Sequence, residues 1–187
     1  MANSNSPFGF RAVGNLTDAS VGGKLQRFYK AAATAATGVG DVVKLVAGGG
    51  DAAGVPGAAP VAAADVCVGV VVGIEPNFGN LSQNYLPSGT LGYLLVNTDP
   101  NTIYEVQETT TTTAASAAGK NLPLVATAPD AVTGRSKMSV SGTAAGTATF
   151  DCQLLRLTPN VNNIPGANQI WQVRMNLNQY KASTTGI

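Results

Sequence analysis

The chain of 187 residues predicts an all-β fold, a single β-barrel or β-sandwich domain with an extended N-terminal arm. Three observations lead there. The first is the stretch ADVCVGVVVGIEPN, residues 64 to 77. Val66, Val68, Val70, Val72 and Ile74 share one parity, and Cys67, Gly69, Val71 and Gly73 share the other. Such alternation marks a strand, because successive side chains point to opposite faces. The second is composition. Ala, Gly, Val and Thr make up roughly half of the chain, and only 11% of residues are charged, against about a quarter in an ordinary domain. Small side chains and few charges favour thin β-structure with close backbone approaches. The third is punctuation: about eight short apolar runs are separated by Gly, Pro and Asp-Pro signals, with at most one helical turn among them.

Taken in order, residues 1–23 lack a sustained period and carry Asn3, Ser4, Asn5, Ser6, Pro7, Gly9 and Gly14. They read as an arm, followed by a β-rich core over 24–180 and a tail at 181–187. KLQRFYK (24–30) and DVVKLVA (41–47) are strands, the second stopped by Gly48-Gly49-Gly50. Pro56, Gly57 and Pro60 make a turn and a short extended piece, and Pro76 ends the 64–77 strand. GYLLVN (92–97) and TIYEVQE (102–108) flank TDPN, whose Asp and Pro suit a tight turn, so the pair reads as a β-hairpin. Thr109 to Thr113 are stiff at χ1 and strand-compatible. AASAAG (114–119) is a helical turn closed by glycine. KMSVS, TATFDCQLLRL (147–157) and QIWQVRMNL (169–177) are the last strands. In the final one Trp171, Val173, Met175 and Leu177 form one face, and Gln172, Arg174 and Asn176 the other.

The residue types narrow the chemistry. There is no histidine, which removes Ser-His and Cys-His machinery and the commonest transition-metal ligand. Glu105 and Glu108 lie three apart on a strand and point to opposite faces, so they form no local acid–base pair. GVGDVV (38–43) breaks the dinucleotide fingerprint, and SAAGKN (116–121) lacks the spacing of a phosphate loop. Cys67 and Cys152 are expected as buried free thiols; a bridge between them would require neighbouring strands with suitable geometry. The 11 basic and 10 acidic residues are scattered, leaving no basic patch for nucleic acid. No apolar run spans a bilayer, and the first residues carry no secretory signal. The expectation is a protein made in a cytoplasm, not an enzyme, without cofactor or metal, and with neither nucleic acid nor membrane as partner.

Binding is better represented. Phe8, Phe10, Arg11 and Val13 stand in an otherwise polar segment, and aromatic residues and arginine dominate interface energetics. They are the candidate interface residues, unless the segment folds back onto its own domain. Arg27, Arg156 and Arg174 sit on strands that otherwise look core-forming, where they line an interface or face water.

The segments SPFGFRAVGNL, VGDVVKLVAGG, DAAGVPGAAPVAAADVCVGVVVGIEPN, YLPSGTLGYLLVNTDPNTIYEVQE and ANQIWQVRMN resemble capsid decoration proteins of tailed bacteriophages, also called cement or minor head proteins. The resemblance runs over most of residues 7 to 177 and brings no catalytic signature. It implies a β-rich subunit, often trimeric, that binds outside an assembled shell where major capsid proteins meet. Another virion component of tail or fibre, or a carbohydrate-binding β-sandwich, are the alternatives; the 6% aromatic content is low for a sugar platform.

Overall fold

In a computed structural model, residues 3–17, 24–76, 80–109, 112–142, 145–146 and 149–181 are described. The expected features that fall on 1–2, 18–23, 77, 110–111, 147–148 and 182–187, parts of the arm, a strand end, the threonine run, a strand start and the tail, lie outside them. The strands are β1 Arg11–Asn15, β2 Leu25–Lys30, β3 Thr37–Gly38, β4 Val42–Val46, β5 Gly57–Pro60, β6 Gly69–Ile74, β7 Tyr85–Leu86, β8 Gly92–Asn97, β9 Thr102–Thr109, β10 Asn121–Leu122, β11 Leu124–Val125, β12 Ser139–Ser141, β13 Cys152–Leu157 and β14 Ile170–Met175. A single 3₁₀ turn, Ala115–Ala117, is the described helical element.

Five strands close a barrel in the order β2-β5-β4-β6-β8. β2 and β8 pair antiparallel along their whole length, from Leu25↔Asn97 to Lys30↔Gly92. The seam between β2 and β5 is parallel and meets only at Tyr29↔Gly57. A barrel this narrow has room for few large side chains. Phe28, Val43, Val68, Val71, Leu86, Leu94 and Val96 fill it, and glycine stands where backbones approach. A Cβ on Gly69 would collide with the Asn97 carbonyl oxygen and lie 2.9 Å from Cγ1 of Val96. Lys30, fully buried, donates to the carbonyls of Thr34 (3.4 Å), Pro87 (3.1 Å) and Thr90 (3.0 Å). Its ammonium thereby ties two loops to β2, and burial lowers its pKa.

The second sheet has seven strands in the order β10-β13-β14-β9-β12-β11, with β1 also on β9. β9 is long enough to take two partners on one edge. β1 pairs with residues 102–105, and β12 runs parallel beside 108–109, while β14 occupies the opposite edge. Tyr104, Val106, Leu154, Trp171, Val173 and Met175 make the inner face, and they share one core with Val42, Val61, Cys67 and Val70 from the barrel side. Buried Glu108 closes that core. Its carboxylate accepts from Trp171 Nε1 (2.8 Å), Gln169 Nε2 (2.7 Å) and both the N–H and hydroxyl of Thr113 (2.7 Å each), so its negative charge is met by four donors.

The all-β class is what the sequence predicts, and the differences lie in how strands associate. β8 and β9 are not a hairpin. Both edges of β8 are taken by β2 and β6, so the chain leaves the barrel at Asn97 and enters the other sheet at Thr102. The TDPN turn forms as expected, with Thr102 N–H on the Asp99 carbonyl at 3.2 Å; it is a corner between sheets. Of the expected 64–77 strand, Gly69–Ile74 is a strand, residue 77 lies outside the described residues, and the apolar side chains of the stretch point both ways. Cys67 and Val70 join the shared core, while Val68 and Val71 enter the barrel, so the common face expected for Val68 and Val70 is broken where the strand begins at Gly69. A register shift between Val71 and Gly73 then turns Val72 outward. Finally, residue 23 does not separate a free arm from a core, since Arg11–Asn15 is itself a strand of the large sheet.

Candidate interaction surface

Residues 3–17 are pinned along their length. The Asn3 side chain donates to the Ile164 carbonyl at 2.7 Å and accepts from the Ile164 N–H at 3.1 Å. Gln107 donates to Ser4 O at 2.8 Å and accepts from Ser6 N–H at 2.9 Å. Gly9 takes φ +74°, and a Cβ there would collide with Ser136 and the Gly40 carbonyl, so only glycine lets the segment lie this close. Phe10 then donates its N–H to Gly40 O at 2.9 Å. Its ring is 3% exposed and meets Tyr104 edge-on at 6.4 Å, a favourable aromatic geometry.

This corrects the expectation for Phe10. Its side chain is core, spent on its own domain, and is not available to a partner. Phe8 is half-buried, with the Arg11 guanidinium 5.3 Å from its ring centroid. Arg11 is also paired with Glu105 at 2.6 Å, the arginine side chain 65% exposed and the carboxylate 9%. Val13 is half-buried at the register shift between Ala12 and Gly14. Phe8 and Arg11 therefore form one surface unit. The sequence signature, aromatics in a polar segment, is the same whether the ring seats in its own domain or in a neighbour.

Around this unit lies a groove of about 580 Å³. Its walls are β1, the Val39–Gly40 backbone, Val71 and Val72 of β6, and the turn at Thr133–Arg135. That turn is held firmly. Asp130 accepts the N–H groups of Val132 and Thr133 (2.9 and 2.8 Å) and pairs with Lys137 at 2.8 Å. The Lys137 contact, followed by those N–H groups, holds its carboxyl well below the usual range. Val132 at the tip is 90% exposed. On the other side of Arg11 is a recess of about 350 Å³ bounded by Glu105, Gln172 and the Thr158–Val161 loop, where Val161 is 96% exposed. Val39, Val72, Val132 and Val161 are not legible as surface residues in the sequence, because an outward valine on a strand or turn reads like an inward one.

Beneath the groove, Asp41 is buried. Its Oδ2 accepts from Gly38 N–H at 2.8 Å, while Oδ1 is buried without a hydrogen-bond partner among the described residues. Burial pushes its carboxyl up to about 6, with the nearby Ser136 hydroxyl and the Gly38 N–H pulling the other way. Both cysteines are free and buried. Burial raises the Cys67 thiol to about 12 and Cys152 well above its ordinary value, so neither supplies a thiolate nucleophile at neutral pH. Among the described residues no three His, Cys, Asp or Glu side chains group as metal ligands. Arg27 is paired with Glu75 at 2.6 Å and lies 3.6 Å over the Tyr93 ring, whereas Arg156 and Arg174 stand on the outward face of the large sheet. No protein-family model, curated protein or solved structure matches this chain.

Proposed function

We propose that this chain is a structural virion protein that attaches to the outside of an assembled phage capsid, spanning neighbouring copies of the major capsid protein and stabilising the shell. The observation that carries the reading is the pair of outward apolar side chains that share a groove with Phe8 and Arg11, Val39 and Val72, both on tightly held backbone. Exposed apolar groups on rigid supports lose little entropy when covered, which suits docking to another protein. A groove lined by valines, a phenylalanine and arginine offers contact area and a cationic rim, and no group poised for bond-making. The resemblance read in the sequence over most of residues 7 to 177 supports the same reading, as does the low-charge β-body. In this account the protein works as a homotrimer at local three-fold positions, where one subunit touches several capsid proteins and weak contacts multiply through effective concentration.

Co-sedimentation tests it. Purified protein mixed with shells stripped of minor proteins should pellet with them at a saturable ratio and raise the temperature at which the shells break. Protein that stays in the supernatant at all concentrations contradicts the proposal.

A further inference from the structure

The outward face of the large sheet carries an ordered row of charges. Arg11, Glu105, Gln172 and Arg156 are direct cross-strand neighbours on β1, β9, β14 and β13. Arg11 is bound to Glu105 at 2.6 Å, and Arg156 Nε donates to Gln172 Oε1 at 2.7 Å. One row further, Arg174 Nε donates to Gln153 Oε1 at 2.6 Å. Lys181 lies close enough to Arg174 for the like charge to help lower its pKa, after burial. Among the described residues of these strands, the outward side chains of Arg11, Arg156 and Arg174 accompany the single carboxylate of Glu105, with Lys181 beside them. Arg156 and Arg174 have no ion-pair partner among the described residues.

Arg156 and Arg174 each spend Nε–H on a glutamine across the strands, which leaves the paired Nη groups of each fork to a further acceptor. That is the geometry for bidentate capture of a carboxylate. We infer that the outward face of the seven-stranded sheet is a docking surface for a carboxylate-rich protein surface, with Arg156 and Arg174 as its reading residues. Charge complementarity selects this occupant. A second copy of the same face would set arginine against arginine. A nucleic acid would want a longer cationic track and aromatic platforms, and the large aromatics of these strands, Tyr104 and Trp171, turn into the core. Arg11 and Arg156 are three strand spacings apart, about 14 Å, the footprint of a few side chains. The inference rests on the capsid reading only in naming the outer face of a shell as the surface that meets it.

The test titrates intact protein with a polyglutamate peptide and, separately, a thymidine homopolymer of equal length, following arginine Nε–H resonances by NMR. Shifts should concentrate at Arg156 and Arg174, and polyglutamate should bind more tightly. The variant R156Q/R174Q should fold with an unchanged melting transition and lose about tenfold in affinity per arginine removed. Equal affinity for the variant, shifts spread over all cations, or tighter binding of the homopolymer would overturn the inference. Shell co-sedimentation separates the two readings. If wild-type protein fails to pellet, the capsid reading falls and the titration alone decides this inference. If wild type and variant pellet equally, the capsid reading stands and this face is not the contact.

Discussion

Truncating Phe10 to alanine asks whether the N-terminal segment is part of the folded body. The ring is 3% exposed and sits edge-on to Tyr104 in the core shared by both sheets. Removing a buried phenylalanine costs about 3–5 kcal/mol, the lost transfer energy plus the cavity left behind. The site has little freedom to collapse. Gly9 is wedged against Ser136 and Gly40 on one side, and β1 is fixed to β9 on the other. The upper half of that range is therefore expected, and the loss of the aromatic pair, about 0.5–1.5 kcal/mol, is contained in it. For a chain of this size the melting temperature should fall by roughly 8–20 °C. Phe8→Ala is the control. Its ring is half-buried under an exposed guanidinium, a contact worth about 0.5–1 kcal/mol. Paired urea denaturation curves measure both. If Phe10→Ala unfolds within about 1 kcal/mol of the parent, the docked strand contributes nothing, and the segment is an arm after all.

Gly69→Val should destabilise by about 1–3 kcal/mol or more through overpacking, since its Cβ meets the Asn97 carbonyl; an unchanged denaturation midpoint would contradict the packing described for β6. Asp41 makes stability depend on pH. Its folded carboxyl titrates at about 6, above its ordinary 3.8, so between these values the folded state holds a proton that the unfolded state has released. Stability from this group is therefore full below about pH 4 and lost as pH rises through 6, by about 3 kcal/mol in all. The difference in unfolding free energy between Asp41→Asn and the parent should shift by that amount, in favour of the asparagine variant, between about pH 4 and 7.5; a difference independent of pH refutes the assignment. Reductant should leave the melting temperature unmoved, because Cys67 and Cys152 are free thiols, and a drop of several degrees would reveal a bridge.

Strands whose neighbours are long and apolar were legible from the sequence. Gly92–Asn97, Thr102–Thr109 and Ile170–Met175 fall where alternation puts them, and Trp171, Val173 and Met175 face inward as their parity requires. Pairing was less legible. The TDPN turn is compatible with a hairpin or with a corner, and the choice depends on which edges β2, β6 and β14 already occupy, information that lies far away in the chain, as in the Leu25↔Asn97 pairing. Two-residue strands such as Thr37–Gly38 and Tyr85–Leu86 leave no period to detect. At the candidate surface, Phe8 and Arg11 were found by residue type. Phe10 carries the same type signal, and only the close approach at Gly9 decides that its ring turns inward. Arg156 and Arg174 look isolated in sequence because their partners, Gln172 and Gln153, are reached across strands.

Cryo-electron microscopy of a particle carrying the protein tests the central claim most directly. The account predicts density that fits the barrel and the seven-stranded sheet on the outer surface of the shell, three copies around each local three-fold position, contacting more than one capsid protein. Density for this chain in the tail or fibre alone, or particles whose shells lack it entirely, would contradict the account.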